Sequence, residues 1–302
     1  MGWRIWTLLL LAQAMWAGSY VAMKVAGEAM PVGAVVVFRY GLATFAYLFL
    51  IPFVGLPKLA KRDWVLVAFL GLINFTLTPT LQIESLRWTR AADVSLLIGL
   101  EPILTVVLAG LILRERVNPR IAGAMVLGLA GVWILSNPSA GGDEAASNRL
   151  WGNMLFLGSL LCEATVTISG GRLAKLYSPL PTIAAMKAFG LIAAVILYGP
   201  TVAATSPGDY GIPAWTSLIY LALLPSLFAY SAWYWAIGRV PVSQIAPSLY
   251  AQPFVGAFLG WLLLGETLGP RTWAGGALIL AALAWTQAMS RNTANRAPLA
   301  PV

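Results

Sequence analysis

Four ionisable residues, Arg39, Glu101, Glu163 and Lys187, interrupt long apolar stretches of this chain. A charge held in hydrocarbon costs at least a few kcal/mol, so each is a candidate for function by default. Glu101 and Glu163 fall near the middle of their stretches, with side chains too short to reach an interface. Either can serve as a protonation switch; the competing reading is a hydrogen-bonded carboxyl that fastens two helices together. Glu101 has the stronger case because Pro102 follows it. Proline removes a backbone donor and disturbs the carbonyl one turn earlier, so a bend is expected beside this acid. Arg39 and Lys187 lie about seven residues, or about 10 Å of helix, inside their stretches. Both side chains are long enough to snorkel to an interface. Structural support is their favoured role, with gating or anion binding as the alternative.

Aromatic and amide side chains supply a second set of candidates. Trp16 and Tyr20 are one helical turn apart, and Trp233, Tyr234 and Trp235 crowd another stretch, of which at most one face can line a cavity. With Gln82, Tyr250, Gln252 and the two acids, Trp16, Tyr20 and Trp233 could form a pocket for a small amphipathic solute. Packing against lipid or protein is an equal claim for any single one. Trp3, Trp6, Trp64, Trp88, Trp151, Trp215 and Trp273 lie near stretch ends, where an interfacial belt is expected. Glu115 and Glu266 each stand four residues before a proline that opens the next stretch, and read as capping groups.

What positions these residues is a membrane-embedded helical bundle. The chain is 59% hydrophobic and 10% charged, against about a quarter charged in soluble domains. Apolar runs of roughly 17–25 residues, each able to cross about 30 Å of hydrocarbon as a helix, recur along its length. Ten are expected, near 4–25, 32–54, 64–86, 91–113, 120–137, 150–173, 180–200, 214–237, 242–264 and 271–289. The first is read as an uncleaved span, since its charged leader is only Arg4. With both termini cytoplasmic, the inner side collects Arg4, Lys58, Lys61, Arg62, Arg114, Arg116, Arg120, Arg172, Lys175, Arg239, Arg291 and Arg296. The outer side collects Lys24, Arg87, Arg90, Arg149 and Arg271, and this asymmetry follows the positive-inside rule. The expectation is a multi-pass protein of the cell (inner) membrane.

Several chemistries are excluded. The chain has no histidine, which removes histidine-dependent metal sites and Ser-His-Asp or Cys-His catalysis. Cys162 is alone, so no internal disulfide forms. No GxxxxGK[ST] phosphate loop occurs, and no cofactor, metal or nucleic-acid partner is expected despite the net charge of +8.

The second half repeats the first at an offset of 151 residues. Pro102, Leu108, Leu113, Glu115, Pro119 and Arg120 match Pro253, Leu259, Leu264, Glu266, Pro270 and Arg271. An odd number of spans per half makes the copies insert in opposite orientations, a mark of transporters with a site between the halves. The division expected is a first repeat at 1–137, an extracytoplasmic linker at 138–149, a second repeat at 150–289 and a disordered cytoplasmic tail at 290–302. Glu101 and its repeat mate Gln252 both precede a proline, and so place two polar, bent positions about the pseudo-twofold axis. Gly256-x-x-x-Gly260 matches Thr105-x-x-x-Ala109 and permits close helix crossing, within the monomer first or in a homodimer.

At these residues the chain resembles the drug/metabolite transporter superfamily, specifically its ten-span EamA-type members. The resemblance rests on Trp16-Ala17-Gly18-Ser19 with Lys24, on Arg39, and on the paired endings Pro102…Leu113-Arg114-Glu115 and Pro253…Leu264-Gly265-Glu266. Glycine-rich spans follow each ending, from Gly123 to Gly131 and at Gly275-Gly276. Arg114 departs from the pattern, which usually has glycine there. The resemblance implies an all-α membrane fold of two inverted five-helix repeats and a secondary transporter, often an exporter of metabolites such as amino acids. A non-transporting scaffold or receptor, and an intramembrane enzyme using a Glu101–Glu163 pair, are the competing classes.

Overall fold

The computed structural model describes residues 3–112, 119–136, 142–237, 248–249 and 251–294. Among these, all regular structure is helical. In lipid a backbone must satisfy its own polar groups, and an apolar chain without strand alternation does so as helices. In chain order they are α1 (Trp3–Ala29), α2 (Val32–Val54), α3 (Asp63–Leu72), α4 (Thr78–Trp88), α5 (Ala91–Leu97), α6 (Glu101–Ile112) and α7 (Pro119–Ser136). There follow α8 (Gly142–Leu176), α9 (Pro179–Ala203), α10 (Ile212–Leu223), α11 (Tyr230–Ile237), α12 (Ala251–Leu264) and α13 (Pro270–Ala294).

Seven helical segments among the described residues are long and apolar enough to cross a membrane, the first Trp3–Ala29 and the last Ile212–Trp233. Ala122–Ser136 and Ala251–Leu264 are apolar but shorter. Ten were expected, and the shortfall has local reasons. The expected span at 242–264 begins in residues outside the description, and its helix α12 starts only at Ala251, after a 3-10 turn at 248–249. The side chains near the end of α13 are also outside the description. Two boundaries moved as well: α8 starts at Gly142, within the expected linker, and α13 runs on to Ala294, within the expected tail.

The bends are specific. A π-helical segment, Ile73–Leu77, joins α3 to α4, and a second, Leu224–Ala229, joins α10 to α11. Pro79 follows the first closely and Pro225 lies inside the second; neither has an N–H for the α ladder. The 3-10 turn Ile98–Leu100 follows α5, and Glu101 and Pro102 open α6. Proline is tolerated at a helix start because the N–H it lacks would be unpaired there anyway. At Pro102 the helical path thus continues through a tightened 3-10 turn, with the acid as the first residue of α6.

Packing places α1 against α4, α10, α11 and α12, and α8 against α4, α6 and α7. The pairs α2 with α9 and α7 with α13 close the two sides. Small residues make the tight seams. A Cβ on Gly190 would stand 2.7 Å from the Gly71 carbonyl, which fixes α9 against α3. A Cβ on Gly260 would stand 3.1 Å from the Ala92 nitrogen, and one on Gly256 would collide with Ser95. The Gly256–Gly260 face is therefore used inside the chain, against α5 and α1.

Candidate functional site

The packing of α4 and α6 against α8 brings the two acids together. Gln82 on α4 donates from Nε2 to Glu163 Oε1 at 2.9 Å. Glu101, at the first position of α6, lies within electrostatic range of Glu163. Tyr20 on α1 is buried, meets Phe156 edge-on at 5.7 Å, and is in electrostatic range of Glu101, Glu163, Arg39 and Tyr230. Residues of four further elements thus lie within electrostatic range of Tyr20, both carboxyls among them. Glu101 and Glu163 each keep partial accessibility, whereas Tyr20 and Gln82 are buried. Two acids this close in a low-dielectric interior can hold a proton or a cationic group between them.

An aromatic wall adjoins them. Trp16 meets Tyr230 at 5.5 Å and Trp233 at 5.8 Å, both edge-on. Trp235, two residues on, points outward and is 42% exposed, so a single face of α11 turns inward. Gln252 donates from Nε2 to Gln13 Oε1 at 2.7 Å, while Gln13 donates to Ser248 Oγ at 3.3 Å. That amide chain ties α1 to the start of α12. Tyr250 lies outside the described residues.

The two cations form a chamber of their own. Arg39 donates from Nε to Ser226 Oγ at 3.1 Å and from Nη1 to Met23 Sδ at 3.4 Å, with its guanidinium 5.0 Å from the Tyr40 ring. Lys187 is fully buried, its Nζ 3.9 Å from the Phe75 ring centre, 4.6 Å from Tyr230, 5.4 Å from Tyr40 and 6.0 Å from Tyr47. Both side chains are long enough to snorkel, yet both are buried in the bundle.

Ion pairs close one end of the molecule. Glu266 caps not its own following helix but α5: its Oε1 and Oε2 accept the Ala91 and Ala92 N–H groups, each at 2.8 Å. These are unpaired donors at the positive end of a helix, where a carboxylate is favoured. Lys24 donates to the same carboxylate at 3.1 Å and to the Thr89 carbonyl at 3.2 Å. Fully buried Asp93 takes Arg90 at 2.8 Å and also pairs with Arg149. Arg90 continues to Thr272 Oγ1 at 2.7 Å. The other end holds a smaller group, in which Asp63 accepts from Tyr177 at 2.6 Å and pairs with Arg172 at 3.2 Å. Glu115 lies outside the described residues. A crevice of about 660 Å³ between α2, α9 and α10 is walled by Phe38, Leu42, Phe45 and Trp215 and carries none of these polar groups.

The profile of the EamA-like transporter family matches residues 3–137 and, separately, 150–287. The chain belongs to the EamA-like transporter family. Relatives of this EamA protein include an uncharacterized transporter of Archaeoglobus fulgidus, 28% identical over 93% of this chain and 96% of that one. A probable terminal-alkyne amino-acid exporter of Streptantibioticus cattleyicolor is 26% identical over 97% of this chain and 95% of its own. A probable amino-acid metabolite efflux pump of Salmonella typhimurium is 26% identical over 91% and 92%. One crystal structure superposes with a TM-score of 0.64 at 18% identity, covering 97% of this chain and 99% of that one, and shares the fold.

Of the residues singled out in the sequence, Gln82 bonds Glu163, Glu101 and Tyr20 are in electrostatic range of that acid, Trp16 packs on Trp233, and Gln252 bonds Gln13. Tyr230, Ser226, Tyr40, Phe75 and Gln13 were missed. For Gln13 a signal existed, since a buried amide inside an apolar run is unusual; Tyr230 had only its neighbours in an aromatic-rich segment.

Proposed function

We propose that this EamA-family protein is a secondary transporter, working as an exporter of small amphipathic metabolites such as amino acids. Ten spans, arranged as two inverted five-helix repeats, alternate access to a site between the halves. The meeting of Glu101, Glu163, Gln82 and Tyr20 in the bundle interior carries this reading. It offers polar partners for a solute where lipid offers none, and a carboxyl pair able to take up a proton. The aromatic wall of Trp16 and Trp233 suits the apolar part of such a solute. Support for the repeats comes from the bends: the two π segments begin at Ile73 and Leu224, the repeat offset apart, and a 3-10 turn precedes both Glu101 and the start of α12. Sidedness is consistent too, since Lys24, Arg90 and Arg149, all placed outside by the charge rule, share one ionic network while Arg172 stands in the other. In the inner membrane, with both termini cytoplasmic, the site is thus closed towards the exterior. The names of relatives as exporters and efflux pumps favour outward transport.

Counterflow in proteoliposomes with a labelled amino-acid mixture tests this, wild type beside Glu101→Gln. Uptake by wild type, reduced at least tenfold by Glu101→Gln, is expected. No flux of any amino acid by the wild type would remove the reading.

A further inference from the structure

Lys187 has no hydrogen-bond acceptor for its Nζ among the described residues, and neither it nor Arg39 is in an ion pair there. The two cations are in electrostatic range of each other. A fully buried amino group that meets only ring faces and another positive charge is a poor structural device. Packing alone is served better by Met or Leu, because burying a polar group without a partner is costly. Ring faces compensate only part of an ammonium's lost hydration. They leave its three N–H donors unmet. An anion is the group whose charge and acceptors would match these donors.

Part of the wall around Lys187 is not ordinary helix. Phe75 lies inside the first π segment, Ser226 inside the second, and Tyr230 is the residue that follows it. A π turn holds one residue more than an α turn and recurs at functional sites. Passing that residue along the helix rotates the flanking side chains by about 100°. The two nearest rings over Lys187 therefore sit on the two backbone segments best able to turn them away. Tyr230 also touches Trp16, so the ring that covers Lys187 is a wall of the aromatic pocket described above. Behind it, Arg39 has donors to spare: its Nε and Nη1 are engaged by Ser226 and Met23, and a guanidinium carries five N–H groups.

We propose that Lys187, backed by Arg39, is an occluded subsite for the carboxylate of the transported solute, gated by the Phe75 and Tyr230 rings. The inference rests on the transport reading and deepens it. The acids Glu101 and Glu163 then face the ammonium end of the solute and Lys187 its carboxylate end, with Trp16, Tyr230 and Trp233 along the apolar part between. The solute class selected is a zwitterion with an apolar side chain. A monoanion fits better than a dianion, because one ammonium and a partly engaged guanidinium sit in an aromatic, otherwise uncharged shell.

The test uses three probes of one shape on the full chain in detergent: L-phenylalanine, 3-phenylpropionate, which lacks the amine, and phenethylamine, which lacks the carboxylate. Ligand-dependent thermal stabilisation is titrated for wild type, Lys187→Met and Lys187→Arg. The expected result is that wild type binds both carboxylates, and that Lys187→Met loses at least tenfold in affinity for them. Phenethylamine binding should be unchanged in Lys187→Met, which also reports that the variant is folded, and Lys187→Arg should recover part of the carboxylate affinity. Equal binding of 3-phenylpropionate by wild type and Lys187→Met overturns the proposal. So does a wild type that binds phenethylamine alone, or none of the three. Counterflow of L-phenylalanine separates the two readings. A Lys187-dependent shift without flux keeps the subsite and removes transport, whereas flux undiminished in Lys187→Met keeps transport and removes the subsite.

Discussion

At the level of single residues, the interior is organised by hydrogen bonds between groups that lipid cannot satisfy. Gln82 is the one described side chain that donates to Glu163, so Gln82→Leu leaves that carboxyl without its amide partner. A neutral donor to a charged acceptor is worth about 1.5–3 kcal/mol. Gln82→Leu should therefore raise the apparent KM for the exported solute at least tenfold in vesicle flux assays, while Gln82→Glu should make transport strongly pH-dependent by adding a third acid. Unaltered KM in Gln82→Leu would reduce the contact to packing. The charged candidates were legible in sequence because charge at membrane depth is rare and therefore informative. Their aromatic partners were not. Tyr230, Tyr40 and Phe75 are three among many rings, and in a membrane chain hydropathy does not separate the face that looks inward from the face that meets lipid. The orientation of the long cations was not legible either: Arg39 and Lys187 are long enough to reach an interface, but stem length says nothing of which way a helix is turned.

At the level of elements, the departures from regular α-helix matter more than the helices. Prolines marked the bends in the sequence, yet their form was not readable, since Pro79 sits just beyond a π segment, Pro225 within one, and Pro102 just beyond a 3-10 turn. The number of spans was read from apolar length; among the described residues Ala251–Leu264 is apolar but shorter than a full span. Glycine seams obey simpler rules. Gly71→Ala would drive a Cβ into the Met186 carbonyl and to 3.2 Å from the Phe189 Cβ, backbone and stem that cannot swing away. Overpacking of this kind costs about 1–3 kcal/mol, and it should lower the unfolding midpoint in detergent by several degrees. Gly171→Ala on α8 meets nothing within 4 Å and should leave the midpoint unchanged or raised. If the two variants melt alike, the α3–α9 seam is looser than described.

At the level of the whole molecule, an ionic network ties one end of the bundle together. Removing one partner of a buried ion pair costs about 3–5 kcal/mol, so Asp93→Asn, which leaves Arg90 and Arg149 without their shared carboxylate, should weaken the closure. Cys162 is the single cysteine and directly precedes Glu163. Its labelling by a membrane-impermeant maleimide added outside right-side-out vesicles should be slow in wild type and at least several-fold faster in Asp93→Asn. Equal rates would mean that the ionic network does not bar the route to the acids. The ties at this end have a further property. Lys24 with Glu266, Ala91 and Ala92 with Glu266, Arg90 with Thr272, and Arg149 with Asp93 each join a residue before position 137 to one after position 142. A gene cut between those positions, with both fragments co-expressed, should yield two peptides that recognise one another in the bilayer, co-purify through a tag on either, and restore flux that neither supports alone.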